Sequence, residues 1–330
     1  MSLDEAQGDG DRRSVGHERT EAATLIEGLR EPLQAALGKV EIGELQHLPG
    51  PNRVVDETTK VLVKDPRGQP VSFVLISPSV DPEIIARGMQ LAAESKLRLG
   101  PWAGRVIFDP ILEGRLGGLS YAALPYYRPI TGGRLRRRFF QMVLRPGLLD
   151  WVAAVVEATA EPAAVDIVNE SFELPLAHLA ESLLVEPAMR RAAEVSLGRL
   201  QEAAWRPRHC LMHGDLWQGN ILSAPAIVDG KRLRPRDRFF IIDWPGAVPR
   251  GYPMFDLARL LMALRVGRTT ASVQVARHCR ILECEQIDAL SHLLAALGSI
   301  GMKLGHFPPE NYAQMSNHCF STVSRAIGLT

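Results

Sequence analysis

The sequence predicts an α+β protein, with a small antiparallel sheet in its first part and a mainly helical remainder. Three observations predict it. Short apolar runs separated by turn residues fill positions 40–130. The stretches 145–190 and 257–305 have helical composition, with prolines at their boundaries. Two loops in the second half place Asp and Asn side chains beside short apolar strands.

Taken in order, residues 1–18 (MSLDEAQGDGDRRSVGHE) are polar, with no apolar segment behind their charges. They read as a disordered tail rather than a secretory signal. RTEAATLIEGLREPLQAAL (19–37) has helical spacing interrupted by Pro32, and predicts a helix or a kinked pair. VEIGELQHL, RVVDETTKVLV and VSFVLI then predict three strands. The tight turn LPGPNR, containing Gly50, Asn52 and Arg53, separates the first two. Asp65-Pro66-Arg67-Gly68 makes a hairpin turn between the second and third. Residues 77–99 open with turn residues and run on as an amphipathic helix, and RVIFDPILEG and LSYAALPYYRPI predict two more strands. The helical part begins with a basic cluster at 134–138 and an acidic stretch over 150–186. Pro162, Pro175 and Pro187 mark boundaries within it. The loop GHFPPENY precedes a last helix.

Composition sets bounds on function. The 330 residues are 46% apolar and 23% charged, enough to bury a sizeable core. A formal charge of +1 argues against a nucleic-acid partner bound through net charge. No apolar run approaches the roughly 20 residues of a membrane span. Four cysteines in a chain this long make no disulfide scaffold, so a reducing, cytoplasmic setting is expected. The cations are 6 Lys and 32 Arg.

The chemistry concentrates in HCLMHGDLWQGNILS (209–223) and FFIIDWPGA (239–247). The first places His213, Asp215 and Asn220 in one short turn. The second places Asp243 at the end of an apolar strand. Phosphoryl transfer needs such a set: a carboxylate to accept the proton of an attacking hydroxyl, and a carboxylate plus a carboxamide to hold Mg²⁺, a hard cation. The five-residue step from Asp215 to Asn220 lets one loop serve both tasks.

HGDLWQGNIL, then IIDWPGA, then GYPMFDLARLL resembles the aminoglycoside phosphotransferase and choline-kinase-like family of small-molecule kinases. HGDLW also occurs in fructosamine-kinase-like sequences, while the later blocks fit the broader family better. The resemblance is specific over about 209–261 and loose over 40–130. It implies a two-lobed protein-kinase-like fold: an N-terminal helix and nucleotide-binding N-lobe over 19–126, and a helical C-lobe with the catalytic loop and acceptor site over 127–330. ATP would bind between them with Mg²⁺, and the γ-phosphoryl group would pass to a hydroxyl of a small molecule such as a sugar, an amino-alcohol or an aminoglycoside. Asp215 is implied as catalytic base, Asn220 and Asp243 as Mg²⁺ ligands, and His213 and Asp256 as supports of the catalytic loop. Gly50 and Asn52 would lie near the phosphates, and backbone groups around Pro125, Tyr126 and Tyr127 would meet the adenine.

One departure stands out. Family members carry a lysine on the third strand, paired with a helix glutamate. VSFVLI ends in Ile76-Ser77, and the helix offers Glu83, Glu94 and, at the expected mid-helix place, Ala86-Arg87-Gly88-Met89. Lys60 and Lys64 lie on the preceding strand. Lys64, Arg53 and backbone N–H groups of the LPGPNR turn are the substitutes. A hairpin with DPRG as its turn puts Lys64 at the hairpin end, which favours Arg53 and the backbone. The departure also admits a different reading, a catalytically weak nucleotide-binding module. Trp217, inside the 213–222 block, could stack on an acceptor, but packing is the favoured reading. The His and Cys residues at 278, 279, 284, 292, 318 and 319 match no zinc spacing.

Overall fold

The computed structural model describes residues 24–48, 58–130, 134–228, 230–305 and 307–329. The expected loop residues Gly50, Asn52 and Arg53 lie outside them. The chain forms two compact units, 1–90 with 108–126 and 91–107 with 127–330.

The N-terminal unit is a five-stranded antiparallel sheet in the order β1-β2-β3-β5-β4. Its strands are β1 (Glu44–Leu48), β2 (Thr59–Lys64), β3 (Pro70–Ile76), β4 (Leu112–Leu116) and β5 (Leu119–Pro125). Alternation decides its faces. Val61, Val63, Val74 and Ile76 are fully buried against Leu29 and Leu33, the latter on helix α1 (Arg30–Leu37). Each such aliphatic side chain contributes about 1.5–3 kcal/mol on leaving water. A separate helical turn over 24–27 precedes α1, so this segment is a kinked pair. The other face meets the start of helix α2 (Ile84–Ala103) through Leu75, Ala122 and Leu124 packed on Ile84, Ile85 and Met89. Two serines anchor that helix start. Ser77 and Ser120 share a 2.7 Å hydrogen bond between their Oγ atoms and accept the N–H groups of Ile85 and Ala86, each at 3.2 Å. A serine thus stands just past the end of β3 and acts on a helix N-terminus, as short hydroxyl side chains commonly do.

The segment 105–114 differs from the single strand expected there. Gly104–Val106 is a 3₁₀ turn and the strand begins only at Leu112. Val106 and Ile107 are buried in the core of the C-terminal unit, so their apolarity reflects burial rather than strand alternation. Pro110, which lacks an N–H, interrupts any ladder before β4.

The C-terminal unit holds helices α3 (Arg134–Thr159), α4 (Val165–Val168), α5 (Leu174–Glu181), α6 (Pro187–Gln201), α7 (Phe255–Ala263), α8 (Arg268–Leu282), α9 (Gln286–Gly301) and α10 (Pro309–Ala326). Pro175 and Pro187 stand in the first turns of α5 and α6, where a missing N–H costs nothing. Short strands lie among them: β6 (Glu161–Pro162), β7 (Arg208–Met212), β8 (Ile221–Ser223), β9 (Ile227–Val228), β10 (Lys231–Arg232), β11 (Phe239–Ile241) and β12 (Val248–Gly251). All pairings are antiparallel, with β7 between β6 and β12 and β8 beside β11. No described helix is long and apolar enough to cross a membrane.

The buried histidines are structural. The His292 ring accepts the Arg208 N–H at Nε2 (3.0 Å) and lies 2.9 Å from the Asp288 carbonyl at Nδ1, a pattern that requires the neutral ring with its proton on Nδ1. His278 sets its Nδ1 on the Gln274 carbonyl at 2.9 Å. Burial pushes both pKa values down to about 4. A folded-state pKa below the unfolded value means the unfolded chain binds protons first as pH falls. The stabilisation is therefore complete above about pH 6.5 and lost between 6.5 and 4, at about 1.4 kcal/mol per pH unit for each ring. Denaturant unfolding should show lower stability at pH 5 than at pH 7. His278→Leu, which also removes a buried Nε2 without a partner, should weaken that dependence. Equal pH dependence in the variant and the parent would refute the assignment for His278.

Candidate functional site

The site grows from three backbone constraints. β7 delivers the chain to His213, where the loop turns. Asn220 closes a short 3₁₀ turn and enters β8. β11 pairs with β8 in the register Ile221 opposite Ile241, and the Ile242 N–H donates to the Asn220 carbonyl at 3.0 Å. This register puts Asn220 and Asp243 side by side on neighbouring strand ends. Asp243 adopts φ +71°, a left-handed conformation that costs a non-glycine residue about 1 kcal/mol or more. Such strain at a carboxylate is a common mark of a functional position.

Asp256, near the start of α7, fixes the loop from behind. Its carboxylate accepts the backbone N–H of His213 at 2.6 Å and of Gly214 at 3.1 Å. Burial pushes its pKa up, offset by the neighbouring His213 and those two donors. His213 ties the loop to the second segment. Its Nε2 meets the Ile242 carbonyl at 2.9 Å, its Nδ1 accepts the Asp215 N–H at 3.3 Å, and its ring stands edge-on to Trp244 at 4.7 Å.

Asp215 is half exposed, and its two oxygens are in different states. Oδ2 accepts the Trp217 indole N–H at 3.1 Å and the Asn220 amide at 2.9 Å. Oδ1 accepts one bond, from Arg259 at 2.9 Å, and keeps acceptor capacity. The Asn220 nitrogen also reaches the Asp215 carbonyl at 2.9 Å and Asp243 at 3.5 Å. Its Oδ1 accepts no hydrogen bond among the described residues. That carbonyl oxygen and the Asp243 carboxylate are hard oxygen donors, the set that suits Mg²⁺. Among the described residues no group of three or more His, Cys, Asp or Glu is placed to hold a metal, so a cation here would need further oxygens from a ligand.

The structure thus brings together Asp215, Asn220, Asp243, His213 and Asp256. Pro125 closes β5 opposite Ser72, and the Tyr126 N–H is directed at the Val71 carbonyl at 3.4 Å. The Tyr127 ring lies 4.5 Å from that of Phe240. One participant escaped the sequence reading, and another was read toward the wrong alternative. Arg259 stands three residues after Asp256, one turn along the same helix face. FDLAR therefore sends two side chains to one loop, and that spacing was the available signal. Trp217 is no packing residue. It is 47% exposed, bonded to Asp215, and set against Gly219, where a Cβ would meet the indole ring at 2.4 Å. The acidic stretch is partly neutralised. Asp150 pairs with Arg277 at 2.7 Å and Arg236 at 3.3 Å, and Glu161 with Arg250 at 2.9 Å.

No protein-family model matches the chain. No curated protein matches it in sequence. Solved structures do match its fold. A candidate fructosamine-3-kinase from Haemophilus somnus has a TM-score of 0.50 at 13% identity, over 89% of this chain and 96% of its own. A candidate fructosamine-3-kinase from Thermobifida fusca gives 0.49 at 18% identity, over 91% and 98%. A choline kinase from Streptococcus pneumoniae gives 0.47 at 14% identity, over 92% and 99%. These structural neighbours are small-molecule kinases.

Gly214 is the loop residue least open to change. It has φ +84°, and a Cβ there would lie 2.8 Å from the Gly246 carbonyl oxygen. Gly214→Ala should destabilise the protein by about 1–2 kcal/mol in denaturant unfolding. Gly246→Ala, at a position with open space and no positive φ, should leave stability within about 0.5 kcal/mol. A silent Gly214→Ala would mean the loop does not take this path.

Proposed function

We propose that this chain, which carries the protein-kinase-like fold of the small-molecule kinases, is an ATP- and Mg²⁺-dependent phosphotransferase acting on a hydroxyl of a small molecule. The observation that carries this reading is the convergence of Asp215, Asn220 and Asp243 on adjoining loop ends, with Asp243 in a strained left-handed conformation.

Each residue has a task. Asp215 takes the proton of the acceptor hydroxyl at Oδ1, the oxygen with unused acceptor capacity, as the hydroxyl oxygen bonds to the γ-phosphorus, the bond from that phosphorus to the β–γ bridging oxygen breaks, and ADP leaves with its electron pair. Arg259 and the Asn220 amide hold that carboxylate in one rotamer, so little reorganisation is needed at the moment of transfer. Trp217, exposed beside Asp215, offers an aromatic face to the acceptor. Asn220 Oδ1 and the Asp243 carboxylate would hold Mg²⁺. When bound, the cation neutralises charge on the transferring phosphate oxygens. Gly50 and Asn52 are assigned to the phosphate-covering loop, and backbone groups around Pro125, Tyr126 and Tyr127 to the adenine. The chain's domains are accordingly a nucleotide-binding part over 19–126 and a catalytic part over 127–330.

Arginines neutralise Asp150 and Glu161 at the start of the acidic stretch, and the acceptor is a sugar, an amino-alcohol or an aminoglycoside-like molecule. A second reading, a catalytically weak nucleotide-binding module, draws on one observation: Leu75 and Met89 share an apolar cluster where the third-strand lysine and its helix glutamate are expected.

A screen of amino-alcohols, sugars and aminoglycosides with Mg-ATP separates the two, since nucleotide binding without any turnover would favour the module. With an accepted alcohol, Asp215→Asn should lower transfer by about two to four orders of magnitude while nucleotide affinity stays near normal. Near-normal turnover in that variant would remove Asp215 as the base. Asp243→Ala should weaken ATP binding in the presence of Mg²⁺ far more than in its absence, measured by calorimetry. Equal losses under both conditions would contradict its role as a metal ligand.

A further inference from the structure

An apolar cluster stands in the N-terminal sheet where the family resemblance implies a lysine–glutamate pair. On β3, Ser72, Val74 and Ile76 are buried on the face that meets α1, so Leu75 emerges on the face that meets α2. There it packs with Ile84, Ile85 and Met89. The resemblance implies a lysine and a glutamate in this region, whereas this chain puts Leu75 and Met89 against one apolar cluster, Ile85, Ala122 and Leu124. Removing both charges together avoids an uncompensated buried ion. It also removes the ammonium that would meet the nucleotide phosphates.

The antiparallel register supplies another one. Lys60 on β2 stands directly opposite Leu75. Directly opposed residues of an antiparallel pair share a face, and the flanking Val61 is buried on the α1 side. Lys60 therefore leaves the sheet on the same face as Leu75, one strand away. That displacement is about 5 Å, which a four-carbon stem with rotatable bonds can take up. The other lysines are placed differently. Lys64 shares the face but sits two on-face steps nearer the Asp65–Gly68 turn, paired with Glu44 at 2.8 Å. Lys39 falls between α1 and β1, Lys96 lies in the second half of α2, Lys231 in β10, and Lys303 after α9. β2 also follows directly on the segment assigned to the phosphate-covering loop.

We propose that Lys60, relocated from the third strand to the second, is the cation that anchors the nucleotide phosphates. The proposal rests on the phosphotransferase reading and deepens it. Lys60 holds the α- and β-phosphates as a point charge, while Leu75 and Met89 add apolar packing at the start of α2 to the Ser77 and Ser120 hydrogen bonds.

The test is calorimetry of Mg-ATP and of adenosine on the full chain, for the parent, Lys60→Met, Lys64→Met and the double variant Lys60→Met/Leu75→Lys. Lys60→Met should weaken Mg-ATP by about tenfold to a hundredfold and leave adenosine unchanged, because adenosine has no phosphate to lose. Lys64→Met should change neither. The double variant should recover part of the Mg-ATP affinity. Circular dichroism melting of each variant checks that it is folded. Normal Mg-ATP binding by Lys60→Met overturns the proposal and leaves the phosphotransferase reading standing. Equal loss of ATP and adenosine assigns Lys60 a structural role and overturns it too. If the parent itself binds no nucleotide, the phosphotransferase reading falls and this proposal with it.

Discussion

The buried carboxylate of Asp256 is the constraint on which the site depends. It sits among apolar helix residues and holds two backbone N–H groups of the loop that carries Asp215. Those donors point inward at a turn that no regular structure would satisfy, so removing the carboxylate would leave the buried His213 N–H and the partly buried Gly214 N–H unpaired. With Asp256 in place, Gly214 can take its left-handed turn, His213 can bridge to Ile242, and Asp215 emerges half exposed. The same helix then returns one turn later with Arg259 on the Asp215 carboxylate. One helix face thus sets both the path of the loop and the orientation of its functional side chain.

A second constraint is the β8–β11 register. Side chains at strand ends have fixed directions only when pairing fixes the strands. The Ile221–Ile241 pair and the bond from Ile242 to Asn220 do this over very few residues. The strain at Asp243 is tolerable because the flanking segments are pinned: β11 is buried and Trp244 donates to the Ile241 carbonyl at 3.1 Å.

Much of this was legible in the sequence, for identifiable reasons. β2, β3 and β5 could be read because alternation and the DPRG turn are local signals. Lys64 at the hairpin end followed from the same register. Asp215, Asn220 and Asp243 could be read because phosphoryl transfer demands those types at short spacing. What escaped reading depends on tertiary direction. Arg259 looked like a helix-surface cation, and only the fold turns it toward Asp215. Packing was favoured for Trp217 because large aromatics are usually buried, and only its exposure in the fold shows that the ring lies outside the core. Residues 105–111 looked like a strand because burial in a helical core and burial in a sheet leave the same apolar signature over a short run. Lys60 went unweighed because a strand position means little until the opposing residue is known.

The central claim is that two oxygen-bearing side chains, Asn220 and Asp243, bind nucleotide through a divalent cation while Asp215 stands ready beside them. The most direct measurement is a calorimetric titration of the unmodified chain with ATP, once with Mg²⁺ and once with chelator. The account predicts saturable binding with Mg²⁺ and an affinity at least about tenfold weaker without it. Absence of binding at millimolar ATP under both conditions, or binding indifferent to Mg²⁺, would contradict it.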